Sequence, residues 1–272
     1  MAKKTKEEVL SFLEEYPGNT KSEKLQRLYD KWFNCQRCGL KDFRCTDSGT
    51  PVEDIVFCSG NPDASIMIIG EAPGEEEAAE LVPFVGRSGK LLNQILATIS
   101  SSPEIKELHS WYTKVAHTKA NVEKFHEAMF AWRDKELFLA NIVGCRPPEN
   151  RAPTPPEMEA CKPRLQNLIY LVDPAIIISS GSIAASNLIG HKVQVTAKRG
   201  ELFETKLKGK VTDVKYPVVV TLHPSYLLRK ADWNDGGGDY SKTVGDFAKA
   251  FRIADFLNEQ HKGVQLPVRG HT

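Results

Sequence analysis

Four short apolar runs limit the fold of this chain more than any other feature. They are Ile66–Ile69, Leu137–Val143, Ala175–Ile178 and Val218–Leu222. Near-continuous Ile, Val and Leu runs of this length are typical of parallel strands that are buried on both faces. Helical patterns separate the runs, over Leu91–Ile99, Pro156–Leu171 and Ile183–Leu188. The alternation predicts a three-layer α/β/α fold around a central, mainly parallel, four-stranded sheet.

The length of the chain suits one large domain. With 272 residues, of which 41% are hydrophobic, it can bury a full core. We expect a single domain over residues 1–272, with an N-terminal helical extension (residues 1–34) and a helical insertion (about residues 103–134). Apolar stripes at helical spacing support both additions. They are Leu25, Leu28, Tyr29 and Trp32 in the extension, and Val122, Phe125, Met129 and Trp132 in the insertion.

The overall charge does not fit a protein that coats nucleic acid indiscriminately. The chain has 36 basic and 35 acidic residues, which gives a formal charge of +1. A local basic stretch can still bind DNA, and lysines and arginines are dense over residues 192–215. A solvated basic face would explain each of these lysines equally well.

Membrane and export signals are missing from the sequence. No apolar run reaches membrane-spanning length, and no apolar signal core follows the first five residues. We therefore expect a cytoplasmic protein without a membrane partner, and we expect it to be a monomer.

Polar side chains follow three of the predicted strands. Glu71 comes directly after the first strand within a glycine-bordered loop, Asn141 lies near the end of the second, and His223 follows the fourth. The same loop region carries the aromatic ring of Phe84. In open α/β sheets ligands bind outside the carboxyl ends of the strands, so these side chains should converge on one site.

The cysteine spacing is typical of a metal site. Six cysteines in a cytosolic chain argue against a disulfide framework. Cys35 and Cys38 have the C-x-x-C spacing, and Cys145 and Cys161 could supply two further thiolates. By spacing alone, this set fits zinc or a four-iron cluster equally well.

Taken together, the motifs resemble those of the family-four uracil-DNA glycosylases, which carry an iron–sulfur cluster. The resemblance covers roughly residues 33–255, with one interruption between Leu92 and Leu137. It rests on five motifs in the family's order: the C-x-x-C pair, the segment from Gly70 to Gly89, the segment Asn141–Pro148, Cys161, and the segment His223–Arg229.

The resemblance implies a cofactor, a partner and a set of site residues. The cofactor would be a 4Fe-4S cluster on Cys35, Cys38, Cys145 and Cys161, with a structural role. Cys45 and Cys58 match no ligand position, and we expect them to be ordinary buried thiols. The partner would be DNA with an extruded pyrimidine nucleotide. The catalytic residues would be Glu71, His223 and Asn141, and the base-binding residues Phe84, Glu77, Asn141 and Ala72.

Further roles follow from the same resemblance. Phe84 would stack on the base, Asn141 would bind its Watson–Crick edge, and Glu77 would face C5 and help exclude thymine. His223 would donate to the oxygen on which charge develops, and Glu71 would orient water. DNA would be contacted by Leu227, Leu228, Arg229 and Ser225, with the two leucines at a loop tip filling the gap left by the flipped base.

The chain also departs from the family pattern. Leu81 stands where a glycine is usual, Gly144 stands where a lysine is usual, and residues 103–134 are additional. These departures favour a bulky modified cytosine, such as the glucosylated hydroxymethylcytosine of phage DNA, removed in antiphage defence. The retained Phe84, Asn141 and Glu77 favour uracil, which is the default substrate of a monofunctional glycosylase.

Two hypotheses from other classes carry less support. A non-catalytic iron–sulfur DNA-binding module would predict the loss of Glu71, Asn141 or His223, and all three are present. A nucleotide-binding enzyme would use the glycine-rich loop for phosphate, but the carboxylates of Glu75–Glu77 would repel phosphate.

Overall fold

A computed structural model describes residues 16–44, 49, 51–52, 54–206, 214–230 and 238–263, with the side chains of the last three residues left out. The strands are β1 (Ser59–Gly60), β2 (Ile66–Gly70), β3 (Phe138–Asn141), β4 (Ile176–Ser180), β5 (Leu202–Glu204) and β6 (Pro217–Thr221). The helices are α1 (Lys21–Trp32), α2 (Glu75–Glu80), α3 (Arg87–Ile99), α4 (Pro103–Tyr112), α5 (Lys119–Glu136), α6 (Pro155–Val172), α7 (Ser182–Ile189), α8 (Val195–Lys198), α9 (Pro224–Leu228) and α10 (Gly238–Gly263). Short 3-10 turns lie at Gly39–Phe43 and Pro148–Asn150.

The strands form one sheet in the order β1-β3-β2-β4-β6-β5. The four predicted strands are its parallel centre, and they are buried throughout except at Pro217. Helices cover this centre in the predicted three-layer α/β/α arrangement, with α10 packed on β4 and β6, and α6 on β3.

The predicted number of strands was wrong, because the sheet of the described residues has six strands rather than four. The two additional strands, β1 and β5, pair antiparallel at opposite edges. They have only two and three residues and contain no apolar run. Leu202 in β5 is 51% exposed, so neither edge strand carries the buried pattern on which the prediction relied.

Helices α4 and α5 pack on α3, and α5 also contacts the edge strand β1. Side-chain oxygens of Ser102 and Thr118 cap their first turns, which explains where the two helices begin. In α5, Phe125 and Met129 of the predicted stripe are fully buried, while Val122 and Trp132 are partly buried. His126 and Arg133 are also buried on α5, although both side chains are polar.

The N-terminal stripe forms α1, which packs against α6. Thr20 and Glu23 form a capping box at its start. The first fifteen residues of the predicted N-terminal extension lie outside the described residues. Within the described part of the chain, no helix combines the length and the apolar character that crossing a membrane would require.

Gly89 in the first turn of α3 allows this helix to pack tightly on the loop that carries Phe84. A Cβ atom at position 89 would overlap the carbonyl oxygen of Phe84 and lie 2.9 Å from its Cα. The overlapping atoms belong to the backbone, so a side chain at this position cannot be accommodated by a rotamer change.

We expect Gly89→Ala to destabilise the fold by at least about 3 kcal/mol, because helix and loop must separate. Gly245→Ala is the matched control, since a Cβ atom there meets no atom within 4 Å inside α10. That substitution should stabilise the protein by about 0.5–1 kcal/mol through helix propensity. Urea unfolding of both variants measures the difference, and equal effects would contradict the packing described for Gly89.

Candidate active site

The carboxyl ends of the parallel strands surround a cavity of about 620 Å³. Glu71 follows β2, Asn141 ends β3, and His223 follows β6, as the strand order requires. Most of the residues predicted for the site line this cavity: Glu71, Ala72, Glu77, Phe84, Asn141, His223, Ser225 and Arg229. The structure therefore brings together side chains that are more than 150 positions apart in the sequence.

Gly70 allows two of the predicted site residues, Asn141 and Phe84, to approach each other. It lies directly opposite Asn141 in the pairing of β2 with β3. A Cβ atom at position 70 would overlap Asn141 Oδ1 and lie 2.6 Å from Cζ of Phe84. The absence of a side chain here thus lets the amide and the ring lie side by side at the end of the strand.

Asn141 has an unsatisfied amide group. The residue is 3% exposed, and its Nδ2 atom is buried without a hydrogen-bond partner among the described residues. Leaving a buried donor unpaired costs on the order of 1–3 kcal/mol. Such a group at a cavity wall is explained by a ligand that brings an acceptor.

Phe84 is held in an unusual backbone conformation. Its φ is +59°, in the left-handed region that non-glycine residues rarely adopt, and its side chain is 2% exposed. The Phe84 N–H donates to Oε1 of Glu77, while Arg133 Nη1 donates to the Phe84 carbonyl at 2.9 Å. Strain of this kind is typical of functional loops that their surroundings fix in place.

The carboxylate of Glu77 binds backbone groups of the loop that carries Phe84. Its two carboxylate oxygens accept the backbone N–H groups of Gly74 and Phe84. Burial raises the pKa of Glu77, and these two hydrogen bonds together with Arg133 oppose the shift. The carboxylate also lines the cavity, so its contact with C5 of a base stays a prediction, and its hydrogen bonds support the loop.

His223 is a neutral hydrogen-bond donor at physiological pH. Burial lowers the pKa of His223 to about 4, and Arg229 contributes in the same direction. Nδ1 accepts the Ser225 N–H at 3.1 Å, so in the neutral ring the proton lies on Nε2. Gly181 (φ +95°) lies close to the His223 side chain. A Cβ atom at position 181 would lie 3.1 Å from Cβ of His223.

Glu71 is a half-buried carboxylate that accepts no hydrogen bond from the described residues. Burial raises the pKa of Glu71, while Arg229 lowers it. The group is therefore free to hold a water molecule at the cavity wall, and Arg229, which follows α9, favours its charged form.

The expectation that both leucines lie at the tip of the loop is wrong for Leu227. That side chain is 1% exposed and belongs to the core, because α9 turns it inward. Leu228 is partly buried and remains near the surface, and Arg229 is exposed. Ser225 lines the cavity, but its N–H and its hydroxyl, at 2.7 Å, are engaged by Nδ1 of His223.

The departures from the family pattern lie away from the cavity. Leu81 ends α2 in the left-handed region (φ +56°) and is 37% exposed, in keeping with a position that favours glycine. Gly144 does not open the site, since a Cβ there would lie 3.3 Å from the Val56 carbonyl oxygen, in a packed segment. Neither residue lines the cavity, and none of the described residues 103–134 does.

Four cysteines lie close enough together for three of them to affect the pKa of the fourth. Burial raises the pKa of Cys145 to about 12, and nearby Cys161, Cys38 and Cys35 raise it further against the effect of Arg44. No three His, Cys, Asp or Glu side chains of the described residues are grouped closely enough to hold a single metal ion. None of the four cysteines lines the cavity.

The remaining cysteines differ from this group. Burial raises the pKa of the Cys58 thiol to about 12, and Arg164 is the charge that opposes the shift. No other cysteine contributes to its pKa, as expected for an ordinary buried thiol. Cys45 lies outside the described residues.

The basic stretch is largely neutralised where the structure describes it. Lys198 pairs with Glu201 at 3.1 Å, Arg199 pairs with Asp246, and Lys215 pairs with Glu204 at 2.7 Å. Lys208 and Lys210 lie outside the described residues. These pairs favour a solvated face over a continuous DNA-binding stripe.

Sequence reasoning missed residues that hold the site together. Gly181 follows β4, the one central strand whose end carried no predicted site residue. Its position directly after an apolar run could have predicted that it lies at the site. Arg164 donates to the carbonyls of Phe57 at 2.7 Å and of Asn141. Arg133 and Arg164 gave no signal, because charged residues on helices are ordinarily exposed.

Comparison with known proteins identifies the family of the chain. The family model described as "Uracil DNA glycosylase superfamily" matches residues 57–249. A type-4 uracil-DNA glycosylase of Thermotoga maritima is 32% identical over 77% of this chain and 86% of its own length. One from Pyrobaculum aerophilum is 30% identical over 82% and 92% of the two chains, and one from Sulfurisphaera tokodaii is 33% identical over 75% and 76%. The chain therefore belongs to the uracil DNA glycosylase superfamily, within its type-4 family.

Proposed function

We propose that the protein is a monofunctional DNA glycosylase that hydrolyses the N-glycosyl bond of an extruded pyrimidine, with uracil as its substrate. The unpaired Nδ2 of Asn141, buried beside Phe84, is the observation that carries this proposal. A flipped pyrimidine stacked on the Phe84 ring would present its Watson–Crick edge to this amide.

Uracil matches the amide chemically. Its O4 accepts a hydrogen bond, as Nδ2 requires, and its N3–H can donate to Oδ1 of Asn141. Cytosine presents an amino group in place of O4 and no proton on N3, so the same amide orientation would oppose it. Selectivity of this kind arises because a mismatched base leaves buried polar groups unpaired.

Bond cleavage places the electron pair of the C1′–N1 bond on the departing base. Negative charge then develops on the carbonyl oxygens of the base, where the Nε2–H of His223 can donate. The ring of His223 is neutral and carries its proton on Nε2. It therefore stabilises the anion as a neutral hydrogen-bond donor. A neutral histidine that acts as an electrophile is a known solution to this problem.

Glu71 serves the sugar side of the reaction. Its ionised carboxylate stabilises the positive charge on C1′ and orients a water molecule that adds there. The water gives up a proton as the new C–O bond forms, and the carboxylate can accept it. The products are the free base and an abasic site.

The four neighbouring cysteines fit a 4Fe-4S cluster, which takes four thiolates as ligands. Cys35, Cys38, Cys145 and Cys161 would hold it, and the cluster would join the segment after α1 to the segment after β3. Because these cysteines do not line the cavity, the cluster would supply structural support rather than chemistry on the base.

A panel of oligonucleotides tests the function. Purified protein is incubated with DNA that contains uracil, a thymine mismatch, hypoxanthine or a glucosylated hydroxymethylcytosine, and abasic sites are cleaved with alkali. We expect release of uracil. The features that favoured a modified cytosine lie away from the cavity, but preferential release of that base would replace uracil as the assigned substrate.

Removing the base-binding amide or the donor should slow catalysis without unfolding the protein. We expect Asn141→Ala and His223→Ala each to reduce single-turnover base release by on the order of a hundredfold. DNA affinity should change little in both variants. Thermal unfolding should change little in Asn141→Ala, because Nδ2 makes no internal hydrogen bond that would be lost, whereas His223→Ala also loses the hydrogen bond from Ser225 and should be destabilised by about 1 kcal/mol. Full activity of both variants would show that these residues are not part of the active site.

The pH dependence should report the influence of Arg229 on Glu71. The reaction needs the ionised carboxylate, so activity should fall as pH drops through the raised pKa of Glu71. Arg229 lowers this pKa, and Arg229→Gln should therefore move the acidic limb of the single-turnover pH profile to higher pH. Arg229→Lys keeps the charge and is the control. If the acidic limb of the pH profile does not move in Arg229→Gln, Glu71 is not the titrating group.

Metal analysis tests the cofactor. Anaerobically purified protein should contain iron and acid-labile sulfide, and Cys38→Ala should lower both and destabilise the fold. Cys58→Ala should keep the full iron content, since this thiol does not belong to the group of four. Stoichiometric zinc without iron would contradict the assignment.

A further inference from the structure

Arg133 connects the helical insertion to the loop of Phe84. It lies near the end of α5 and is 1% exposed. Its Nη1 donates to the carbonyl of Phe84 at 2.9 Å and to Oδ1 of Asn93 at 2.9 Å. Its Nη2 lies 3.5 Å from the carbonyl oxygen of Pro83. The hydrogen bond to Phe84 joins positions that are 49 residues apart, and neither Arg133 nor Asn93 lines the cavity.

This buried cation has no close anionic partner. Among the described residues no carboxylate lies within salt-bridge distance of Arg133, although Glu77 and Asp134 are near enough to favour its charge. Burial lowers the pKa of Arg133 to about 10, so the guanidinium stays protonated at neutral pH. A buried charge is costly, and an apolar side chain would fill the same space more cheaply. The hydrogen bonds to the loop are what an apolar residue could not provide.

Neighbouring side chains fix the guanidinium. Asn93 of α3 is fully buried and accepts from Arg133, and its Nδ2 lies 3.4 Å from Nδ1 of His126. Burial lowers the pKa of His126 to about 4, so the ring is neutral and can accept from that amide. The Phe130 ring lies 4.9 Å from the guanidinium carbon. The orientation of Arg133 is therefore determined by α3 and α5 together.

Phe84 needs this support because its backbone is strained. With φ at +59°, the residue would relax unless both of its backbone polar groups were held. Glu77 binds its N–H from one side, and Arg133 binds its carbonyl from the other. The ring that would stack on the base is fixed only while this conformation lasts.

We propose that Arg133 is a positioning residue that acts through Phe84: by holding the Phe84 carbonyl, it orients the ring on which the extruded base stacks. The inference rests on the proposed function for its consequence in catalysis. It also assigns a role to the insertion, whose helix supports the site from behind instead of covering the cavity.

A double-mutant cycle separates this role from general stabilisation. Arg133→Met removes the hydrogen bonds and keeps much of the side-chain volume, and Phe84→Leu removes the stacking ring. Met129→Ala is the control, because Met129 is fully buried on the same helix, one turn before Arg133, and is apolar. The kcat/KM for uracil release is measured well below the unfolding temperature of every variant.

We expect Arg133→Met to lower kcat/KM about tenfold in the wild-type background and less than about twofold in the Phe84→Leu background. Met129→Ala should have the same effect in both backgrounds. An equal loss for Arg133→Met in both backgrounds overturns the inference. If Arg133→Met does not fold, Arg133→Lys replaces it, and we expect a loss of roughly threefold that again disappears without the ring.

Hydrogen exchange gives a readout that does not depend on activity. In Arg133→Met or Arg133→Lys, amides of residues 81–88 should exchange roughly tenfold faster than in Met129→Ala. Equal exchange overturns the inference whatever the activity. If the wild-type protein releases no base from any oligonucleotide, the proposed function fails, while the exchange rates still decide whether Arg133 holds the Phe84 loop.

Discussion

The buried guanidinium of Arg164 joins the three segments on which the site depends. It is fully buried on α6 and donates to the carbonyls of Phe57, Asn141 and Ile142. Cys161 precedes it by one helical turn. Cys161 is therefore connected through Arg164 to the strand end that presents the Asn141 amide. Through this connection the proposed cluster, although remote from the cavity, would support the proposed recognition of the base.

A second constraint at this cavity wall is the absence of side chains at two glycine positions. Gly70 leaves room for the Asn141 amide and the Phe84 ring, and Gly89 leaves room for the Phe84 carbonyl. The two glycines therefore allow Phe84 to lie where Glu77 and Arg133 hold its backbone. The wall is thus rigid before a base arrives, and binding need not supply the free energy to organise it.

Patterns that repeat locally allowed the fold centre and much of the site to be predicted. Apolar runs identified the four parallel strands, and strand ends identified Glu71, Asn141 and His223 as neighbours. The edge strands were missed because they are short and exposed. Leu227 was misplaced, since two adjacent leucines on a short helix give no information about which one faces the core. Arg133 and Arg164 could not be predicted, because their contacts join distant residues and leave no periodic trace.

Glu71 and His223, the two groups proposed to act in catalysis, differ in how the same surroundings affect their protonation. Burial favours the neutral forms of both, so it raises the pKa of Glu71 and lowers that of His223. Arg229 opposes burial at Glu71 and reinforces it at His223. One exposed cation therefore helps to keep the carboxylate charged and the imidazole neutral, which is the combination that the proposed mechanism requires. A DNA phosphate bound to Arg229 would weaken this field, so the pKa of Glu71 would rise, while burial and the hydrogen bond from Ser225 would still keep His223 neutral.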